Sequence, residues 1–269
     1  MLTFARRFAF FLATAAALAA ADRVSVAAAA NLVYALDALN AAFRATEPGT
    51  TVVVTTAASG NLVAQIRNGA PYDVFLSADL AYPRTLLTSG DAAAGTLTPF
   101  AVGRLVVWTM RPELDLGSVG VLMRNTAVHK VALAQPETAP YGRAAREALR
   151  KLEVWSEVQG KIVIGDSVSQ AAQFVQSGNA DCGFVALSLV VSPELTGKGR
   201  YLEVPLELYS PITEAAVLTT FGRENAAARR YLAFLVSPAA REIFTRFGYG
   251  IPPAGAVAPV APPATSPAS

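Results

Sequence analysis

Four segments of this chain carry short polar side chains and bare backbone donors to the start of a helix. They are VSVAAAANLVYAL (24–36), VVVTTAASGNLVAQI (52–66), VALAQPETAPYGRAAREAL (131–149) and KIVIGDSVSQAAQFV (161–175). In each, a β-like run breaks into small or hydroxylated residues and then opens an amphipathic helix. The first backbone N–H groups of a helix have no partner within it, and the helix dipole favours negative charge there. Such turns lie at the C-terminal edge of a parallel sheet, where α/β folds bind ligands. None of the four turns holds a Lys or His, and Arg143 is the first cation after the third. The chemistry this pattern supports is neutral hydrogen bonding to a small dianion.

Each junction offers its own donors. Asn31 follows four alanines in the position of an N-cap, where its carboxamide can bond its own helix or a ligand. Ser59 combines a hydroxyl with the adjoining Gly60, and it can equally serve as a plain cap. Pro136 and Pro140 stiffen the third turn, so the N–H groups of Tyr141 and Gly142 have a fixed direction; Tyr141 can also be a core residue. Ser167 and Gln170 fit an S-x-x-Q capping box, which leaves the N–H groups of Val168 and Ser169 free to donate. The two acids beside the turns, Glu137 and Asp166, are expected to face solvent or cap backbone.

Other chemistry has little footing. Cys182 is the one cysteine and His129 the one histidine in 269 residues, which excludes an intrachain disulfide and a cysteine-based metal site. No G-x-S-x-G, H-E-x-x-H or P-loop pattern occurs. A net charge of +2 without basic runs argues against nucleic acid as a partner.

The elements that must position the four turns alternate. Strand 24–28 precedes a helix at 32–44, strand 51–56 precedes a helix ending near Asn68-Gly69, and strand-like runs cover 72–77 and 105–109. The pattern restarts with strand 131–134, helix 143–152, strand 162–164, helix 170–176 and strand 183–186. This predicts two α/β lobes, each a mostly parallel sheet flanked by helices with right-handed crossovers. Residues 201–218 are strand-rich and can cross back to the first lobe before helices at 226–235 and 238–246. The expected division is lobe I from 22–102 and 208–251, and lobe II from 103–207, with hinge strands between them. At the N-terminus, Arg6-Arg7, an apolar run over 8–20 and Ala19-Ala20-Ala21 read as a signal peptide over 1–21, which implies secretion. The Pro/Ala-rich stretch 252–269 has no periodicity and is expected to be a disordered tail.

The strings VAAAANL, ASGNLVAQIRNGAPYDVFLSAD, VGRLVVW, APYG, DSVSQA, GFVALS and SPAAREIFTRFGY resemble the periplasmic molybdate-binding proteins of molybdate ABC transporters, over about 23–251. The resemblance implies a two-lobed, type II periplasmic binding protein fold. It implies closure over a tetrahedral molybdate or tungstate held by hydrogen bonds alone, without cofactor or direct protein–metal ligands. The implied partners are that oxyanion and a membrane permease; the implied protein is a periplasmic monomer and no enzyme. Carried onto this chain, it puts Asn31, Ser59 and the backbone N–H groups of Tyr141 and Val168 on the anion's oxygens, with Ala30 and Ser169 beside them. Ala30 lacks a hydroxyl that some members carry there, and Ala186 stands where another branch has a tyrosine. Two other readings remain open: a binder of another oxyanion or small organic acid, and a secreted hydrolase using Ser59 with His129 as its base. Sulfate and molybdate offer the same acceptors, so only donor spacing separates them.

Overall fold

The computed structural model describes residues 22–253. The expected signal peptide and residues 254–269 of the expected tail lie outside the described residues. The described residues form two five-stranded sheets. The first contains β1 (Asp22–Ala29), β2 (Thr50–Ala57), β3 (Val74–Ser77), β4 (Thr98–Gly103) and, from much later in the chain, β10 (Ile212–Leu218), in the order β2-β1-β3-β10-β4. The second contains β5 (Leu105–Thr109), β6 (Val131–Ala134), β7 (Ile162–Gly165), β8 (Cys182–Ala186) and β9 (Arg200–Glu203), in the order β7-β6-β8-β5-β9. Among the described residues, ten α-helices flank them. Lobe I carries α1 (Val33–Thr46), α2 (Ser59–Arg67), α3 (Ala81–Ser89), α9 (Ala226–Phe234) and α10 (Pro238–Arg246). Lobe II carries α4 (Val119–Arg124), α5 (Pro140–Lys151), α6 (Trp155–Val158), α7 (Val168–Gln176) and α8 (Leu187–Val190).

The two-lobed α/β architecture is the one expected, with a difference in strand direction. β1 runs parallel to β2 and β3, and β6 runs parallel to β7 and β8. The strands that carry the chain between lobes are antiparallel: β10 to β3 and β4, and β5 to β8 and β9. A strict βα alternation cannot produce these ladders. The chain enters lobe II directly from β4 through Arg104 and returns from β9 to β10, and β5 and β10, the first strands after each crossing, run against their sheet neighbours.

Parallel pairing sets the level of the four turns. Ala29 of β1 pairs with Ala57 of β2, and Ala134 of β6 pairs with Gly165 of β7. The C-terminal ends of each pair therefore lie side by side, and each opens into a helix: β1 through a 3-10 turn (Ala30–Leu32) into α1, β2 into α2, β6 into α5 and β7 into α7. β1 and β6 are buried along their inner lengths, as strands covered by helices on both faces must be. Leu36, Leu39 and Phe43 recur at helical spacing on α1 and are all buried. Phe43 packs edge-on to Tyr231 of α9 with ring centroids 5.0 Å apart, and Phe100 of β4 stacks on Phe244 of α10 at 5.1 Å. The C-terminal segment is tied to the first crossing by reciprocal 2.8 Å backbone bonds between Val102 and Gly250.

Candidate functional site

Where the two sheets face one another, a small cavity is lined by Ala29, Ala30, Asn31, Ala58, Ser59 and Ala78 from lobe I. Ala139, Pro140, Tyr141 and Val168 line it from lobe II. The structure thus brings Asn31, Ser59, Tyr141, Val168 and Ala30 to a single site. Ser169 does not join them. Its hydroxyl bonds that of Ser167 at 3.0 Å, and it lines a neighbouring cleft with Val33, Tyr34 and Thr56, because successive residues of a helix turn to different faces. The cavity contains at most about 190 Å³ of empty space, below the ~300–1,000 Å³ usual for organic ligands.

The lobe II donors are set by their helix starts. Pro140 is the first residue of α5 and Ala139 its N-cap, so the Tyr141 N–H lies in the first turn and has no acceptor in its own helix. Gly142 lets α5 come close to β6: a Cβ there would stand 2.2 Å from the Ala134 carbonyl oxygen. Ser167 caps α7 by accepting the Gln170 N–H at 3.3 Å, which leaves the Val168 N–H free. The expected capping box is only half formed. The Gln170 side chain reaches back to the Asp166 N–H instead of that of Ser167.

In lobe I two expectations are corrected. Asn31 is not an N-cap: Ala29 holds that position, and Asn31 lies within the 3-10 turn. Its carboxamide points away from its own helix end, with Nδ2 donating to Glu214 Oε1 at 2.7 Å and to the Tyr249 hydroxyl at 2.9 Å. The Asn31 backbone carbonyl oxygen accepts from the Ser188 and Tyr249 hydroxyls, both at 3.0 Å. Ser59 is likewise the first residue of α2 and not its cap, which is Ala58. Its Oγ accepts the Ala78 N–H at 3.1 Å, so the hydroxyl proton remains available for donation.

The lobes are held closed by bonds outside the cavity. Gly60 N–H donates to Thr138 O at 2.8 Å, and Tyr82 donates its hydroxyl to Glu137 O at 3.0 Å. Arg143 pairs with Asp79 of the opposite lobe and donates to the Tyr82 hydroxyl at 3.2 Å. Arg143 therefore neutralises a protein carboxylate at the rim. No Lys, Arg or His lines the cavity. Of the two flanking acids, Glu137 pairs with Arg146 at 2.7 Å and its carboxyl lies below its usual range through that bond, while Asp166 is exposed. Both lie away from the cavity, as expected.

The acid that matters is Glu214, fully buried in β10 directly behind the site. Its Oε1 accepts from Asn31 and from the Tyr141 hydroxyl at 3.2 Å. Burial pushes its carboxyl up to about 8, against the lowering effect of those two bonds. Tyr141 and Tyr249 are also raised well above the usual tyrosine range, first by burial and then by the charge of Glu214. The only sequence signal for Glu214 was a lone acid inside an otherwise apolar strand, ITEAAVL.

The enzymatic constellation is not assembled. The His129 and Lys130 backbone N–H groups bond Asp181 at 2.7 and 2.8 Å, at the start of β6, whereas Ser59 bonds Ala78 in the other lobe. Ala186 ends β8 fully buried. Cys182 is buried, and burial pushes its thiol up to about 12. Among the described residues no cluster of His, Cys, Asp and Glu could hold a metal ion.

Comparison with known proteins places this geometry among relatives. Residues 24–250 match the family described as bacterial extracellular solute-binding proteins. The chain is 42% identical over 231 residues to the molybdate-binding protein ModA of Rhodobacter capsulatus, covering 86% of this chain and 89% of that protein. It is 39% identical over 234 residues to the ModA of Azotobacter vinelandii, covering 87% and 92% respectively. The solved structure of an Azotobacter vinelandii periplasmic molybdate-binding protein superposes with a TM-score of 0.80 at 34% identity, over 85% of this chain and 99% of that one. The sulfate-binding protein SubI of Mycobacterium tuberculosis shares the fold at 16% identity, with a TM-score of 0.72 over 85% and 86% of the two chains.

Proposed function

The chain belongs to the family of bacterial extracellular solute-binding proteins, and we propose that it captures molybdate or tungstate in the periplasm and delivers it to the membrane permease of an ABC transporter. The observation that carries this reading is the convergence of Asn31, Ser59, Tyr141 and Val168, from both lobes, on one small cavity whose lining holds no cation. The relatives named for molybdate binding support the choice of cargo.

The donors are the Ser59 hydroxyl and the first-turn N–H groups of the four helical starts, including those of Asn31, Tyr141 and Val168. Because the Asn31 carboxamide is engaged behind the site, its backbone N–H is the group that faces the anion. Charge-assisted hydrogen bonds contribute about 1.5 kcal/mol each, so five or so give on the order of 8 kcal/mol. Helix dipoles add ~0.3–1 kcal/mol per end, while lobe closure and lost ligand freedom subtract several kcal/mol. A micromolar or tighter dissociation constant follows without any buried positive charge. A site of donors alone favours a fully deprotonated oxyanion, since a protonated one needs an acceptor for its proton.

The protein acts as a monomer, needs no cofactor and turns over no substrate. Among the described residues the Ser59 hydroxyl bonds the Ala78 N–H and no imidazole or amine. Titration of the secreted chain with sodium molybdate, tungstate, sulfate and phosphate, followed by calorimetry and intrinsic fluorescence, tests the reading. Molybdate and tungstate should bind and alter the tyrosine and tryptophan emission as the lobes close. Silence with both, or tighter binding of sulfate, refutes it.

A further inference from the structure

Behind the anion cavity lies a buried polar cluster that no binding role yet accounts for. Glu214 stands at its centre. Its Oε1 joins Asn31 of lobe I to Tyr141 of lobe II, two residues that line the cavity from opposite lobes. Gly103 makes this contact possible at the first crossing between lobes, since a Cβ there would stand 2.1 Å from the Tyr141 hydroxyl and 3.0 Å from Glu214 Oε1. We propose that Glu214 is the positioning residue of the oxyanion site, tying its two halves together on closure, and that it does so as a neutral carboxylic acid.

Three observations lead there. The groups acting on Glu214 are the Tyr141 hydroxyl from α5, the Asn31 amide from the 3-10 turn, the Tyr249 hydroxyl after α10, and Asp79 after β3. None is a cation, and the nearby Arg143 is engaged by Asp79. An ionised carboxylate so enclosed would also repel a dianion in the adjoining cavity. Next, two buried side-chain atoms in this cluster lack partners: Glu214 Oε2 and Asn31 Oδ1. They belong to two groups already joined by one bond. A proton on Glu214 removes the charge from a buried carboxylate whose Oε2 has no donor to satisfy it. Last, burial already holds the Glu214 carboxyl at about 8 in this closed state. Opening withdraws Tyr141 and admits water, which returns the group toward its ordinary range. Closure then takes up a proton from solvent.

This inference rests on the proposed molybdate reading, and its test separates the two. Calorimetry of the secreted chain with sodium molybdate, at about pH 7.5 in Tris and in HEPES, counts protons from the buffer dependence of the heat. The wild type should take up a sizeable fraction of one proton per anion, and its affinity should fall by up to tenfold per pH unit as pH rises toward about 8. Glu214→Gln, a neutral isostere that keeps an Oε1 acceptor for Asn31 and Tyr141, should bind at least as tightly as wild type near pH 6, without proton uptake or this pH slope. Glu214→Ala should bind on the order of 30-fold more weakly. If Glu214→Ala does not fold, the Gln variant and the wild-type pH profile decide the matter. Binding by wild type without proton uptake, or a Gln variant about 30-fold weaker near pH 6, overturns the role of Glu214 alone. Absence of wild-type binding overturns the molybdate reading and this inference with it.

Discussion

Gly103→Ala isolates the contact on which closure depends. The φ of Gly103 is not positive, so alanine is tolerated by the backbone and the effect is purely steric. The added Cβ meets the Tyr141 Oη at 2.1 Å and its Cζ at 3.0 Å, whereas ordinary contact begins at 3.4 Å. Gly103 ends β4 in lobe I and Tyr141 starts α5 in lobe II, so opening the lobes relieves the clash and only the closed state suffers. Forcing the ring aside costs about 1–3 kcal/mol in overpacking. Losing the Tyr141–Glu214 bond in a buried setting adds ~1–3 kcal/mol. The closed state should therefore weaken by about 2–6 kcal/mol, that is by roughly 30-fold or more in molybdate affinity by calorimetry. The thermal midpoint of the ligand-free protein should change little. Tyr141→Phe removes the atom that clashes hardest, so adding it to Gly103→Ala should restore part of the lost affinity, although alone it weakens binding. If the two substitutions simply add, or if Gly103→Ala binds as wild type does, the proposed closure geometry is wrong.

Other substitutions probe separate parts of the site. Ser59→Ala should lower affinity about 10- to 30-fold by removing a hydroxyl donor, and should lower stability by ~1–2 kcal/mol because the Ala78 N–H loses its acceptor. Unchanged affinity in a titration would remove Ser59 from the anion's contacts. Arg143→Ala breaks the rim pair with Asp79; since Arg143 is about a third exposed, the loss should stay within ~1 kcal/mol. The same variant should make affinity less sensitive to sodium chloride, and a loss above about tenfold would mean that Arg143 acts on the anion itself. Cys182 has 0% exposure and a thiol pushed up to about 12, so a disulfide-exchange reagent should leave it unlabelled in the native protein near pH 8 and react on unfolding.

Much of this molecule follows from local pattern. The β-runs at 24–28, 131–134 and 183–186, and the helices at 226–235 and 238–246, were legible because burial on a sheet or a helix face imposes a period that residues show one by one. Ser237 caps α10 and Ser167 caps α7 as their types require. The same logic overreached at Asn31 and Ser59, where a capping residue type lies inside the helix start instead. There tertiary partners, Glu214 and Tyr249 for one and Ala78 for the other, outweigh the local cap. The antiparallel direction of β10 and β5 was hidden because an isolated strand carries no record of its neighbour's direction.

By itself the sequence determined that four helix starts, poor in charge, end parallel strands in two α/β units, because hydrophobic periodicity and turn residues are local properties. Only the tertiary structure decided that these starts meet at one cavity, that Ser169 turns away from it, and that an acid 183 residues from Asn31 lies behind them. Distances between segments far apart in the chain are set by how sheets stack and cross over. That information resides in the packing of all the elements together and in no stretch of residues alone.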